Sequence, residues 1–227
     1  MIYHVILPAS GLGKRFRSRL PKQFHKIDNR EIIAFSLIKF NSIREVGTIV
    51  IPTFRKYFSR IEKILKEVKI RKNVILVEGG VSRKDSVYNG LNRLNAENND
   101  FVFVHDAVRP FITVNKINEM MKYSKRYNSV ILALPVRDTL KMITRSGVID
   151  GTIDRRNLWM AQTPQLFRYR ILKDSFEKAK RENFFATDES QIVEHAGYKV
   201  KVIEGEVKNI KITTKEDLIF GNNLMVT

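Results

Sequence analysis

Leu7-Pro8-Ala9-Ser10-Gly11-Leu12-Gly13-Lys14-Arg15-Phe16, closed by Pro21-Lys22-Gln23, decides how the rest of the chain is read. It follows an apolar run (Tyr3, Val5, Ile6, Leu7), so a buried strand feeds a glycine-bearing loop. Glycines let the backbone approach a ligand and turn its N–H groups toward it. Arg15 and Lys22 add charge, one as a bidentate fork and the other as a point charge. A tight turn needs neither cation; a polyphosphate site uses both. Two familiar phosphate loops are excluded by spacing. The P-loop needs a longer spacer and a Gly-Lys-Ser/Thr end, whereas Lys14 is followed by Arg15. The dinucleotide fingerprint needs a further glycine where Phe16 stands.

Outward from this loop, short apolar runs recur at residues 48–51, 74–77, 101–104 and 130–134. Amphipathic stretches at 32–40, 57–68, 85–94 and 114–127 lie among them. Strands buried on both faces read as such runs. Their alternation with helices predicts an α/β protein with a doubly wound, mostly parallel sheet. Ligands then bind at the carboxyl ends of strands, near a topological switch point. Residues 137–154 break the pattern: they are polar and β-branched, with turns at Ser146-Gly147 and Asp150-Gly151. This reads as a projecting β-hairpin, and because an isolated hairpin is marginal it is expected to pack on a partner subunit. A strand and turn follow at 158–167, then a helix at 168–182 and a short helix after Asp188. Paired strands at 199–204 and 209–212 and a helix from Thr214 complete the chain. With no repeat, low-complexity segment or linker, residues 1–227 read as a single domain.

Composition removes several chemistries. With 227 residues, 43% hydrophobic and 29% charged, the chain has the makings of a globular core. It has no cysteine, which excludes disulfides, thiolate metal sites and cysteine nucleophiles. His4, His25, His105 and His195 show no metal-ligand spacing. No apolar run is long enough for a membrane span and the first strand lacks a basic leader, so no membrane partner and a cytoplasmic location are expected. The net charge of +17 suits anionic ligands. Lysine and arginine are spread along the whole chain, so a polynucleotide partner is not expected.

Further clusters fall where strands end. Gly79-Gly80 precedes Ser82, Arg83, Asp85 and Ser86, and reads either as a strand-to-helix turn or as a close approach to a base or sugar. His105-Asp106-Ala107-Val108-Arg109-Pro110 ends the most apolar strand. Asp106 suits a hard cation on a triphosphate, Arg109 suits an anion, and the two together would also make a local ion pair. His105 reads as structural rather than as a base. Thr187-Asp188-Glu189 looks like a helix start with Thr187 as cap. Lys211, between Ile210 and Ile212, is costly to bury unless it meets an anion.

In order along the chain, these motifs resemble the 2-C-methyl-D-erythritol 4-phosphate cytidylyltransferase family of the non-mevalonate isoprenoid pathway. Besides the segments above, the resemblance is carried by Pro135-Val136-Arg137-Asp138-Thr139, Asp154-Arg155 with Leu158-Trp159, Gln162-Thr163-Pro164-Gln165 and Asn209-Ile210-Lys211. It implies a Rossmann-like nucleotidyltransferase sheet with a dimerisation arm at 137–155, and cytidylyl transfer from CTP to the sugar-alcohol phosphate with release of pyrophosphate. It implies that Pro8, Ala9, Ser10, Gly11, Gly13, Gly80, Ser86 and Ala107 bind the nucleotide. Asp106 would hold magnesium (Mg2+). Arg15 and Lys22, with Lys211 and Asp106, would form the catalytic set around the α-phosphate. Arg109, Thr139, Thr163, Thr187 and Lys211 would line the acceptor site, and Arg155 would enter it from the other subunit of a homodimer. Ser10 departs from the more usual alanine or glycine, and Val81 stands where relatives often carry aspartate. The ribitol 5-phosphate cytidylyltransferases share the glycine loop, but Arg155 with Leu158-Trp159 and Thr187-Asp188-Glu189 lean toward methylerythritol phosphate. A non-catalytic RNA-binding module is the alternative of another class, and no RNA motif supports it.

Overall fold

The computed structural model describes residues 1–11 and 13–226, apart from the Lys14 and Val226 side chains; Leu12 of the first loop lies outside it. The chain enters through β1 (Tyr3–Ile6), passes a short antiparallel pair, β2 (Lys26–Ile27) and β3 (Arg30–Glu31), and forms α1 (Ile32–Ser42). Then come β4 (Val46–Thr53), α2 (Phe58–Glu67), β5 (Asn73–Glu78), α3 (Arg83–Arg93), β6 (Phe101–Val104) and α4 (Val114–Ser124). After β7 (Ser129–Pro135), the hairpin β8 (Leu140–Ile143) and β9 (Ile149–Ile153) leads into β10 (Trp159–Arg168). The chain ends with α5 (Tyr169–Arg181), α6 (Glu189–His195), β11 (Lys201–Glu204) and α7 (Lys215–Val226).

The main sheet has seven strands in the order β11-β7-β10-β6-β1-β4-β5, and β10 alone runs against its neighbours. The chain builds outward from β1 through β4 to β5, then returns to place β6 on the other side of β1. The switch point therefore lies between β1 and β6, and both the quoted loop and the His105–Pro110 segment leave from it.

The apolar runs are strands because both faces are covered. On one side Leu7, Leu37, Phe40, Ile49 and Phe103 are buried with Ile117 of α4; on the other, Ile6, Val50 and Val104 meet Leu91, Leu172 and Phe176. Full burial of one such side chain contributes about 1.5–3 kcal/mol. Ser82 caps α3 in a reciprocal box with Asp85, and Thr113 caps α4 by accepting from the Lys116 amide at 3.1 Å.

Three expectations are corrected. Residues 209–212 form no strand: β11 pairs with β7 instead. The segment is held by the Ile212 amide donating to the Val108 carbonyl at 2.9 Å and by the buried Asn209 amide donating to the Thr163 carbonyl at 2.9 Å. The strand and turn read at 158–167 is one continuous strand, whose register shifts between Gln162 and Gln165. The cap of α6 is Asp188, which accepts from the Gln191 amide at 2.9 Å; the Thr187 hydroxyl donates to the Gln191 side chain. The projecting hairpin is as expected, with Ile143, Val148, Ile149, Trp159 and Met160 exposed. Among the described residues, no helix is long and apolar enough to cross a membrane.

Candidate active site

A cleft of about 310 Å³ opens where β1 and β6 end, lined by Pro8, Ala9, Ser10, Gly11, Gly13, Lys22, Gly80, Val81, Arg83, Asp106 and Lys211. The loop is anchored from behind. The Ala9 amide donates to the Pro52 carbonyl at 2.7 Å, and the Ala9 carbonyl accepts from buried Gln23 and from Thr53. Gln23 thereby fixes its neighbour Lys22 beside the loop. Gly13 has φ +64°, the left-handed region that favours glycine. At Gly80 an added Cβ would lie 2.3 Å from the Asp85 Cβ, so the loop passes α3 too closely for any side chain.

Ser10 and Ser86 join the two glycine segments. Their hydroxyls lie 2.6 Å apart, and Ser86 Oγ also accepts from the Gly80 amide at 3.0 Å and donates to the Ser82 carbonyl at 2.8 Å. Ser86 is buried and is not among the residues lining the cleft, so it braces the wall between the two glycine segments. Ala107 is likewise buried behind the wall. Val81 is fully exposed on the rim.

A second cavity of about 210 Å³ shares Arg83, Asp106 and Lys211 with the first and adds Arg109, Gln162, Thr163, Thr187 and Asp188. Asp106 sits where the two meet. It is 6% exposed, yet Arg83 Nε lies 2.9 Å from Oδ1, Lys211 Nζ 2.7 Å from Oδ2 and Arg109 Nε 3.9 Å from Oδ2. Burial opposes its ionisation, but these three cations hold the Asp106 carboxyl well below the usual range. The expected Asp106–Arg109 pair is thus part of a larger cluster, and Lys211 has found its anion. The cations Lys22, Arg83, Arg109 and Lys211 outnumber the acids Asp106, Asp188 and Glu189, so the two cavities together favour an anionic ligand. Burial pushes the Lys22 ammonium down to about 8, with Lys211 and Arg15 adding repulsion against Asp106. Arg15 itself is exposed beyond the cleft wall.

His105 is structural, as read. Its Nε2 lies 3.1 Å from the Arg109 carbonyl, which can only accept, so Nδ1 is left to accept from the Thr163 hydroxyl at 3.2 Å. Burial pushes the imidazole down to about 3. The Thr163 hydroxyl also accepts from the Asp106 amide at 3.0 Å, so it positions Asp106 and has no donor to spare for a ligand. Thr187 reaches the second cavity, whereas Thr139 and Arg155 stand exposed at the base of the hairpin, outside both cavities. Arg155 donates to the Arg137 carbonyl.

Sequence reasoning missed two groups. Arg83, read only as part of a helix start, bridges Asp106 and Glu189. Gln165 fixes the start of α6 by donating to Asp188 at 2.8 Å and accepting from the Ser190 amide at 3.0 Å. No local signal marks either one, because their partners are far away in the chain.

Comparison with known proteins agrees with this geometry. The family profile IspD, 2-C-methyl-D-erythritol 4-phosphate cytidylyltransferase, matches residues 3–227. The enzyme of that name from Geobacillus kaustophilus is 37% identical over 227 residues, covering 100% of this chain and 98% of its own. Among solved structures, 4-diphosphocytidyl-2C-methyl-D-erythritol synthase from Anaerococcus prevotii superposes with a TM-score of 0.86 at 30% identity, covering 100% of this chain and 99% of its own. The Francisella tularensis cytidylyltransferase gives 0.83 at 33% identity, over 98% and 99% respectively. With the switch-point cleft and its surplus of cations, these matches show that the chain belongs to the 2-C-methyl-D-erythritol 4-phosphate cytidylyltransferase family and transfers a cytidylyl group from CTP to that acceptor.

Proposed function

We propose that the two cavities divide the reaction between them, with the CTP in the first, the acceptor in the second and Asp106 at their junction. The observation that carries this reading is the position of Asp106, shared by both cavities and flanked by Lys211 and Arg83. Backbone at Pro8, Ala9, Gly11 and Gly13 faces the nucleotide, with Ser10, Ser86 and Gly80 fixing the pocket wall. Lys22 and Lys211 meet the α-phosphate, and Arg15 closes over it from the loop end. Arg109 and Thr187 hold the acceptor phosphate, and Ala107 and Thr163 set the backbone around Asp106.

A phosphate oxygen of the acceptor attacks the α-phosphorus in line. The new O–P bond forms as the bond to the β-phosphate oxygen breaks, and pyrophosphate carries away the electron pair. The nucleophile is already anionic, so no general base is needed, consistent with a neutral, fully engaged His105. Catalysis rests on positioning and on cations at the developing charge.

Among the described residues, no cluster of three or more His, Asp or Glu side chains could hold a metal. Among the described residues lining the first cleft, Asp106 is the one carboxylate. That donor set fits a magnesium ion that arrives on the triphosphate, because Mg2+ keeps few protein ligands and takes the rest from phosphate and water. When bound, the ion neutralises phosphate charge.

The arm at 137–155 is the dimer contact in this reading, burying its apolar residues on a second copy and bringing Thr139 and Arg155 to the partner's acceptor cavity. Residues 1–227 act as one domain carrying that arm. The test is pyrophosphate release with CTP and either methylerythritol phosphate or ribitol 5-phosphate. Release that is faster by orders of magnitude with methylerythritol phosphate is expected; a preference for ribitol 5-phosphate would overturn the acceptor assignment.

A further inference from the structure

Arg83 touches two carboxylates that the chain brings from different elements. Its Nε donates to Asp106 Oδ1 at 2.9 Å, and its Nη1 donates to Glu189 Oε1 at 2.7 Å. Asp106 follows β6 at the nucleotide end of the cleft. Glu189 opens α6, directly after the Thr187-Asp188 wall of the acceptor cavity. Arg83 itself starts α3, so one guanidinium joins three elements.

Stability is a poor reason for this arrangement. Glu189 is 1% exposed, and among the described residues its Oε2 has no hydrogen-bond partner. Burying a carboxylate costs more than its ion pair returns unless its remaining lone pairs are satisfied. An acidic residue in the first turn of α6 would help the helix dipole just as well from an exposed position. Asp106 already has Lys211 on its other oxygen, so it does not need Arg83 for charge balance. What Arg83 adds is geometry, since a planar fork with separate donors can hold two carboxylates at a fixed angle.

We infer that Arg83 is a positioning residue that couples the two halves of the active site, fixing the Asp106 carboxylate with one edge and, through Glu189, the Thr187-Asp188 wall with the other. Its effect is exerted through Asp106 and Glu189. A shift of the α6 start on acceptor binding is carried to the carboxylate facing the triphosphate, and the reverse holds for the nucleotide. The inference rests on the placing of nucleotide and acceptor proposed above.

The test uses KM for each substrate, from pyrophosphate release by the full chain. Arg83→Gln is expected to raise both KM values roughly tenfold. In Arg83→Gln/Glu189→Gln no buried carboxylate is left unpaired. There the acceptor KM is expected to return to within about threefold of the wild type while the CTP KM stays high. Both constants unchanged in Arg83→Gln, or an acceptor KM as poor in the double variant as in the single one, would overturn the coupling. If Arg83→Gln fails to fold in a thermal melt, Arg83→Lys keeps the charge but reaches only one carboxylate. It is then expected to raise one KM and spare the other, and wild-type values for both would overturn the coupling. Thr187→Ala separates this from the placing of substrates. An unchanged acceptor KM there would remove the placing, while the coupling would still be read as non-additivity in the Arg83–Glu189 pair.

Discussion

The Ser10 and Ser86 hydroxyls, 2.6 Å apart, tie the loop after β1 to the first turns of α3, joining segments that are distant in sequence. Ser10→Ala removes this tie without stranding a buried donor, because Ser86 keeps its bonds to Gly80 and Ser82. The expected cost is ~1 kcal/mol in chemical denaturation, with the CTP KM raised several-fold and kcat little changed. Ser86→Ala leaves the Gly80 amide without its acceptor and should cost more, ~1–3 kcal/mol. Equal denaturation midpoints for the two variants would contradict this hierarchy.

Alkaline pH should weaken nucleotide capture without weakening the fold. Lys22 titrates at about 8 in the folded chain against a reference of 10.5. The unfolded chain therefore binds more protons between these values, and this group's contribution to stability rises with pH across that window. Its charge, however, is lost. Plotted against pH, kcat/KM for CTP should fall above about 8, and Lys22→Arg, which stays charged, should remove that limb.

Acid should act in the opposite sense. His105 is held neutral in the fold down to about 3, against a reference of 6.5, so the unfolded chain takes up the extra proton between them. Stability from this group is complete above pH 6.5 and is lost as pH falls toward 3. The expected slope is at most about 1.4 kcal/mol per pH unit. Asp106, held ionised by its three cations, adds loss in the same direction at the acid end. Urea unfolding at a series of pH values reads the slope, and His105→Gln should flatten it.

Removal of one cation at the α-phosphate should slow turnover more than it weakens binding. Arg15→Ala, Lys22→Ala and Lys211→Ala are each expected to lower kcat roughly 10²–10³-fold, by analogy with the loss of a single transition-state donor. Lys211→Ala also leaves Asp106 Oδ2 with Arg109 alone, at 3.9 Å, so its CTP KM should change along with kcat. Turnover near that of the wild type in any of the three would remove that residue from the catalytic set.

Much of this architecture was legible because burial on both faces leaves a plain mark. The runs that became β1, β4, β5, β6 and β7 are continuous and apolar, and the loop chemistry begins where they stop. β10 was harder to read, because Gln162 and Gln165 look like part of a turn until their side chains are seen to bond Glu206, Asp188 and Ser190. Ile210 and Ile212 imitate a strand by alternation, yet what holds that segment is the Asn209 side chain against β10. At the candidate site, the glycine loop, Lys22, Asp106, Arg109 and Lys211 were singled out by motif and position, and the fold brings them to the two adjoining cavities. Arg83 was not: its partner Glu189 lies 106 positions away, and no spacing rule reports such a pair. Thr163, placed in the acceptor lining by resemblance, also bonds the Asp106 amide and His105 Nδ1, partners that its sequence context cannot show.

If Arg155 serves the partner's cavity, two crippled enzymes should repair one another. Lys22→Ala and Arg155→Ala place their defects in different halves of a shared site. In a mixed dimer one site carries both defects and the other carries neither. Mixing equal amounts after exchange of subunits should give about a quarter of wild-type activity from two nearly inactive samples. Mere averaging of the two activities would instead place Arg155 in its own subunit's site.

The single reversed strand has one last consequence. Because β10 runs against β7 beside it, the hairpin that joins them leaves from the end of the sheet where the parallel strands finish. Had β10 been parallel, the chain would have had to cross to the far end of the sheet before entering it. With the arm as the proposed dimer contact, that contact and the chemistry would share one edge of the molecule, and specific activity would be sensitive to dilution. A compound that wedges between arm and partner would inhibit without resembling either substrate.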